Sequence, residues 1–451
     1  MAQFESFQKL DKNTVKFTLT PTRVTYANAY RRAIQTEIEC LGFRADIAED
    51  GSTTDVKVLK NTTPMSNEML ADRIGLLPIV LPEGYETWTK ESVLFKLHVT
   101  NTSEEPRIVT VSDFDCIKKK EDGEERIPNT EFFHPNLLTG STCLIAVLPG
   151  QLPGQKPEEL HIEAYASMGK GREHARFNPT CQCSYGYTLD PNPAKIQELW
   201  VRWLTEQKKV SEQDLEKDQA KKEALNREFR SLQLYRCYKV DPTDNEPNSF
   251  DFTVESVGPM PVSQILVKGV QALSQLVLNY ASVDRGDLPM AMTIQPTQMK
   301  MIGFDVLFQN EDHTLGNILQ TWLDDNKIAR GEAGSFLSFV GTAVPHPLRP
   351  ELKMTFGFAD SNAATRENVR LLIAEAAKAT SDMFTQWAIQ LETRLADKNI
   401  VTPKTPEGPE TLTGPWDALA SARSARPPTT TPAVRGTARA SRGRGATTRG
   451  R

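Results

Sequence analysis

No stretch of this chain approaches the ~18 consecutive apolar residues of a membrane-spanning helix. Its amino-terminal MAQFES lacks the basic-then-apolar layout of a secretory leader. Cysteine is scarce: six thiols scattered over 451 residues predict reduced intracellular side chains rather than a disulfide framework. Catalytic signatures are missing too. There is no GxxxxGK(S/T) phosphate loop, no GxSxG nucleophile elbow and no HExxH run, so a hydrolytic enzyme has no motif to support it. The stretch 418–451 holds neither lysine nor carboxylate, and its only charged residues are eight arginines. With the whole chain at −5, setting those eight positive charges aside leaves −13 on the remainder. A body that acidic does not bind nucleic acid as a whole, because phosphate contacts need a basic surface.

What is present begins with an ordinary globular balance, 39% hydrophobic and 25% charged, at a length that predicts roughly two to four domains. One unit occurs twice, about 289 residues apart. An alternating strand (VKFTLT, 15–20) leads into a helix holding Tyr26, Ala27, Asn28, Ala29 and Tyr30. A second strand (FDVLF, 304–308) leads into EDHTLGNILQ at 311–320. Phe17 precedes Asn28 by eleven residues, and Val306 precedes Asn317 by eleven. Two copies of a unit with one apolar helix face predict two halves made to pack together. The apolar stripe of the first helix runs through Ala27, Tyr30, Ile34, Ile38 and Leu41, that of the second through Leu315, Ile318, Leu319, Trp322 and Leu323.

Between the copies the patterning changes. Residues 48–165 carry short strand-like runs (56–59, 93–99, 108–111, 143–148) separated by Gly, Pro, Asn and Asp turns, with one helical patch at 66–74. A mostly β inserted domain is expected there. A charged helical stretch at 194–233 reads as a polar surface insertion. Residues 250–256 alternate as a strand, and a helix follows with Ile265, Gly269, Leu273 and Val277 on one face. Residues 282–299 read as a linker. After the second unit come strands near 335–340 and 352–358, then a long helix over about 364–396. Beyond about 400 the Pro/Thr/Gly/Arg-rich sequence predicts disorder.

Six segments together resemble the alpha-type assembly subunits of multisubunit DNA-directed RNA polymerases, over most of residues 10–395. VTYANAYRR at 24–32 is similar to the family's ANxLRR helix, with Tyr30 in place of the usual Leu. NTTPM at 61–65 through ADRIGLLPI at 71–79 is similar to its NTS…HRLGLIPL segment, with Asp72 replacing His. GKGREHARFNP at 169–179 and FTVESVG at 252–258 resemble the large alpha-like subunits of archaea and eukaryotes. EDHTLGN at 311–317 and VPHPL at 344–348 resemble the small alpha-like partner. The resemblance thus implies counterparts of both subunits in one chain. Such fusions are known in polymerases of some large nucleocytoplasmic DNA viruses, so the resemblance points to a viral source.

The resemblance implies an α+β fold of two dimerisation modules forming an intramolecular pseudo-dimer. The large module would comprise 1–47 and 166–281, interrupted by the inserted domain 48–165. The small one would comprise 300–397, reached through the linker 282–299, with 398–451 a disordered tail. Internal pairing falls to Ala27, Asn28, Tyr30 and Ile34 against Leu315, Asn317, Ile318, Leu319 and Trp322. Contact with the two largest subunits falls to Arg31, Arg32, Arg73, Lys170, Arg172 and Arg176; the guanidinium groups of the successive Arg31 and Arg32 suit bidentate bonds to carboxylates of a partner. Catalysis would reside on those large subunits, and this chain would be a non-catalytic platform with no catalytic residue of its own. It would also meet smaller polymerase subunits, DNA only through the complex, and no membrane.

His174, His313 and His346 read as hydrogen-bonding fixtures rather than bases or ligands. Cys181 and Cys183, on one face of an alternating strand, read as buried core thiols. The zinc or iron–sulfur site of some relatives needs four cysteines in the inserted domain, which here has only Cys116 and Cys143. No cofactor is therefore expected. Arg442, Arg444, Arg449 and Arg451 sit in arginine/glycine segments suited to electrostatic binding of nucleic acid. A free-standing nucleic-acid-binding protein using that tail is the competing reading. No basic import cluster lies outside the tail, which points to host cytoplasm and virion, with the nucleus as the alternative.

Overall fold

The amino-terminal strands close as a hairpin that starts the first of two four-stranded sheets. In the computed structural model, residues 3–47, 54–82, 84–120, 123–136, 139–211, 219–329 and 336–396 are described. Strand β1 (Gln3–Lys9) pairs antiparallel with β2 (Thr14–Thr20). Helix α1 (Val24–Thr36) follows and buries Tyr26, Ala27, Ala29, Tyr30, Ala33 and Ile34. The apolar stripe continues in sequence to Ile38 and Leu41, but the helix stops at Thr36. Leu41 instead lies on a short strand, β3 (Glu39–Gly42), and packs into the core of the inserted domain.

That domain contains β4 (Val56–Asn61), α2 (Asn67–Gly75), β5 (Val93–Asn101), β6 (Arg107–Thr110), β7 (Phe114–Lys120), β8 (Gly123–Ile127), β9 (Leu144–Leu148) and β10 (Glu158–Tyr165). The expected helical patch is α2, capped by Ser66 Oγ, which accepts from the Met69 amide at 3.3 Å. Five strands form an antiparallel sheet in the order β4-β10-β5-β7-β8, and β6 pairs with β9. Alternation on β5 buries Val93, Phe95, Leu97 and Val99 against Phe43, Phe114, Phe132 and Phe133.

The chain then returns. Strand β11 (Ser167–Lys170) pairs with β3, and β12 (Thr180–Tyr187) leads to two helices, α3 (Pro193–Trp203) and α4 (Gln219–Leu232). Residues 194–233, expected as a polar surface insertion, carry an aromatic core of their own from Trp200, Trp203, Leu204 and Phe229. Strand β13 (Phe250–Ser256) inserts between β2 and β12, completing the order β1-β2-β13-β12. Helix α5 (Val262–Leu278) closes this half.

Strand β14 (Met292–Pro296) lies within the segment expected to be a linker; Met292 and Ile294 are buried in the main core. It pairs with β15 (Gly303–Gln309), which leads to α6 (His313–Leu323), β16 (Leu337–Ala343), β17 (Glu351–Phe358) and α7 (Arg366–Ala396). The second sheet runs β14-β15-β17-β16. Both sheets are thus built in one chain order: hairpin, short helix, edge strand, inner strand, longer helix. Helix α5 packs on α7, α1 on α5 and on α6, and α6 on α7.

One continuous core fills both halves. Phe17, Tyr30, Ile34, Phe252, Leu266 and Val270 share it with Phe308, Leu315, Ile318, Phe356, Ile373 and Trp387. Phe4 meets the edge of Trp387 at 5.7 Å between ring centroids. Full burial of each large aliphatic side chain contributes about 1.5–3 kcal/mol, so this seam is held mainly by apolar packing. The tail 398–451, expected to be disordered, lies outside the described residues.

Candidate assembly interface

Polar contacts between residues 1–286 and residues 303–396 ring this core. At the start of α1, Arg23 donates to both oxygens of Asp325, from Nη2 at 2.9 Å and Nε at 3.1 Å, and it also pairs with Asp244. Hydrogen bonding to Asp325 raises the guanidinium above its ordinary value. Two residues on, Thr25 and Thr321 hydroxyls meet at 3.0 Å. Near the other end of α1, Arg32 Nη2 donates to Asp312 Oδ2 at 2.8 Å. Arg172, from the loop after β11, donates to Glu37 from Nη2 at 2.6 Å and to the Asn310 carbonyl at 3.1 Å, and lies 3.7 Å from Asp312. Tyr280 donates its hydroxyl to Glu311 at 3.0 Å. Between the longer helices, Ser274 and Ser381 hydroxyls are 3.0 Å apart, and Arg370 donates to the Val283 carbonyl at 2.7 Å.

Two adjacent carboxyls at this seam are driven in opposite directions. Burial pushes Asp312 upward, but bonds from Thr314 and the charges of Arg32 and Arg172 outweigh it, leaving the carboxyl below its ordinary value. At Glu311 burial dominates, with the Tyr280 bond and Arg172 only partly offsetting it, so its carboxyl is raised. Glu311 Oε2 is buried without a hydrogen-bond partner, which is the physical expression of that penalty.

Of the residues expected to pair the halves, Ala27, Tyr30, Ile34, Leu315, Ile318 and Leu319 are buried in the shared core. Trp322 packs against its rim, with Lys327 over the ring at 5.8 Å. Asn28 and Asn317 do not meet. Each follows a buried residue by one position and so points off the apolar face. Asn28 accepts from Arg31 at 2.9 Å, and exposed Asn317 accepts from Thr342 at 3.1 Å. Tyr30 reaches the other way, donating to the Leu266 carbonyl on α5 at 2.9 Å. Gly269 makes that approach possible: a Cβ there would sit 2.6 Å from Ile34 Cγ1.

The basic residues expected to face large subunits divide. Arg32 and Arg172 bind carboxylates of this same chain, as described. Arg176, only 5% exposed in its side chain, donates to the Phe43 carbonyl at 2.6 Å and fastens its loop. Arg73 bonds the Ile145 and Leu144 carbonyls at 2.9 and 3.0 Å. Lys170 lies 3.9 Å from Glu39. Arg31 is held by neutral oxygens alone, of Asn28 and of Gln35 at 2.8 Å.

His174 Nδ1 accepts from the Arg176 amide at 3.1 Å, and His346 Nδ1 from the Leu348 amide at 3.1 Å, as fixtures of their turns. Exposed His313 occupies the first position of α6. Cys183 is buried, but Cys181 is exposed, contrary to their shared-face expectation. A register shift between Thr180 and Gln182 breaks the alternation at that point. Among the described residues no group of three or more His, Cys, Asp or Glu is placed to hold a metal ion. Arg442, Arg444, Arg449 and Arg451 lie outside the described residues. Arg23, Glu37, Asp244 and Asp325 were not singled out by sequence; only Asp312 carried a local signal, as a helix cap before Thr314.

Residues 16–277, more than half of the chain, match the RNA polymerase Rpb3/Rpb11 dimerisation domain family. The chain belongs to that family: it is an Rpb3-like, non-catalytic dimerisation and assembly subunit of a DNA-directed RNA polymerase. It is 24% identical over 261 residues to DNA-directed RNA polymerase subunit Rpo3 of Pyrococcus furiosus, covering 56% of this chain and 87% of that protein. It is 25% identical to DNA-directed RNA polymerase II subunit RPB3 of Schizosaccharomyces pombe, over 60% of this chain and 83% of the relative. Similarity to the RPAC1 subunit of RNA polymerases I and III of Saccharomyces cerevisiae is 24%, over 59% and 83%. The family match ends at residue 277, before the second sheet begins.

Proposed function

We propose that the chain is a large and a small alpha-like subunit fused in one polypeptide, paired within itself as a platform for the two large catalytic subunits. The large part would be 1–47 and 166–281 around the inserted domain 48–165, joined through 282–299 to the small part, 300–397. The observation that carries this reading is the common strand order of the two four-stranded sheets, β1-β2-β13-β12 and β14-β15-β17-β16, about one core. Fusion makes pairing unimolecular, which raises the effective concentration of each half for the other.

Docking of the large subunits would involve Arg31, Arg32, Arg73, Lys170, Arg172 and Arg176, of which Arg31 alone is bonded only to neutral side chains. Smaller polymerase subunits are further partners, and no zinc or iron–sulfur group is required. A source in a large nucleocytoplasmic DNA virus fits the fusion; action would then be in host cytoplasm and virion, with the nucleus as the alternative.

The test is a pull-down of the tagged full chain from its native source, with mass spectrometry and a non-specific RNA synthesis assay. The expected result is two subunits larger than this chain, no separate small alpha-like subunit, and template-dependent synthesis. Recovery of the chain alone, or only with RNA that dissociates at high salt, would overturn the reading in favour of a nucleic-acid-binding protein.

A further inference from the structure

Strand β12 is an edge of the first sheet: one side of its backbone bonds to β13, and the other meets no backbone partner among the described residues. Edge strands left open in this way invite pairing with another chain, and proteins ordinarily blunt them with charge or proline. Most edges of the three larger sheets here are blunted. β1 carries Glu5 and Lys9, β4 carries Lys57 and Lys60, β8 carries Glu124, Glu125 and Arg126, and β14 ends in Pro296. Strand β12, TCQCSYGY, has neither a charge nor a proline.

Beside this edge runs a groove of about 420 Å³ lined by Arg31, Cys183, Ser184, Tyr185, Gly186 and Tyr187. A Cβ built on Gly186 meets nothing within 4 Å, so the backbone there is open to close approach. The Cys183 thiol contacts the Arg31 carbonyl at 3.7 Å, fixing α1 against the strand. Arg31 is half-buried, and its guanidinium bonds only the neutral oxygens of Asn28 and Gln35. No carboxylate among the described residues pairs with it.

The other half supplies an internal comparison. Its equivalent edge, β16 (LSFVGTA), is also without charge or proline. The 289-residue offset that aligns Asn28 with Asn317 places Gln320 where the first half has Arg31. Gln320 accepts from Thr342 of β16 at 2.7 Å, so there the helix residue is satisfied within the sheet. Of these two edges, as far as the described residues go, β12 is the one that combines an open backbone with an uncompensated positive charge.

We propose that β12 accepts an extended segment of another polymerase subunit as an added strand, with an aspartate or glutamate of that segment paired to Arg31. Main-chain bonds to the edge supply affinity, and the guanidinium supplies selection for an acidic residue at one register. This rests on the assembly role proposed above and specifies its contact.

Hydrogen exchange by mass spectrometry tests it, comparing the full chain alone with the full chain in the complex recovered with the large subunits. Outward amides within 181–187 should slow by roughly tenfold or more on assembly. Arg31→Gln, or Gln35→Glu, which turns a neutral oxygen that Arg31 already bonds into a carboxylate of its own chain, should weaken retention of the partner roughly tenfold. Both variants should keep the unfolding midpoint of the isolated chain. Assembly with unchanged exchange across 181–187 would overturn the added strand while leaving the platform role standing. A chain that recovers no large subunit would overturn both.

Discussion

Arg32 reaches Asp312 across 280 residues of chain, Nη2 donating to Oδ2 at 2.8 Å. The same carboxylate caps α6, its Oδ1 accepting from the Thr314 amide at 2.7 Å. One side chain therefore both starts a helix and binds the other half of the molecule.

The two roles separate by substitution. Asp312→Asn keeps an acceptor for the Thr314 amide and removes the charge. Since both side chains of the pair are about one-third exposed, the expected loss is about 0.5–1 kcal/mol, shrinking in high salt. Asp312→Ala should lose a further ~1 kcal/mol that salt does not restore, the cost of the missing cap. Denaturant midpoints at low and high salt measure both. Equal midpoints for the two variants would show that the cap contributes nothing.

Gly269→Ala places a methyl group against Ile34 and Tyr30, whose nearest atoms would lie at 2.6 and 3.3 Å. Helices α1 and α5 must separate, at an expected cost of about 1–3 kcal/mol. Combined with Ile34→Ala, which removes the Cγ1 that the new methyl group would strike, the two losses should sum to more than the double variant shows, because both act on one contact. Strict additivity in the chemical denaturation data would contradict the close approach.

Glu311→Gln should stabilise the chain near neutral pH. The carboxyl of Glu311 is raised by burial, so it holds its proton more tightly folded than unfolded. Its favourable contribution is complete below the unfolded carboxylate range and is lost as pH rises through the raised folded value. Glutamine imitates the protonated form and can still accept from Tyr280. The gain in melting temperature over wild type should therefore be largest at neutral pH and fade on acidification. A gain that grows toward acid would refute the assignment. Asp312, lowered instead, contributes with the opposite sign and is unchanged in the comparison.

Trp203→Ala should act locally. Its ring packs on Trp200 and Phe229 at 5.6 and 5.7 Å, in a cluster separate from the main core. Amides of α3 and α4 should lose exchange protection while those of β13 and α5 keep theirs. Loss of protection in β13 as well would mean the helices support the sheet.

Much of this architecture was legible because the signals were local. Residues 250–256 alternate and form β13 with the expected bounds, and the 66–74 patch carries its own cap at Ser66. Failures came where tertiary pairing overrode a local pattern. The stripe from Ala27 through Leu41 fits one helix, yet residues 39–42 are drawn into a strand by pairing with 167–170. Strand β14 was missed because a five-residue edge ending in proline has too little pattern of its own. Strands β7, β8 and β10 were missed as well: β7 and β8 carry consecutive charges (KKK at 118–120, EER at 124–126) that mask any period of two, and β10 opens on Glu158 and Glu159. At the seam, burial of Tyr30 and Ile318 followed from periodicity. The carboxylate partners of Arg23 and Arg32 did not, since a charge pair hundreds of residues apart leaves no spacing to read.

Strand β13 lies between β2 and β12, with Val254 opposite Val15. During synthesis the inner strand of the first sheet thus arrives some 240 residues after its neighbour, a wait of roughly 10–50 s at ordinary elongation rates. The inserted domain emerges whole within that interval and can fold behind an unfinished sheet. Until β13 leaves the ribosome, the apolar faces of β2 and α1 have nothing permanent to cover them. The nascent chain therefore has a defined period of vulnerability, set by topology rather than by composition, in which a chaperone would find its substrate.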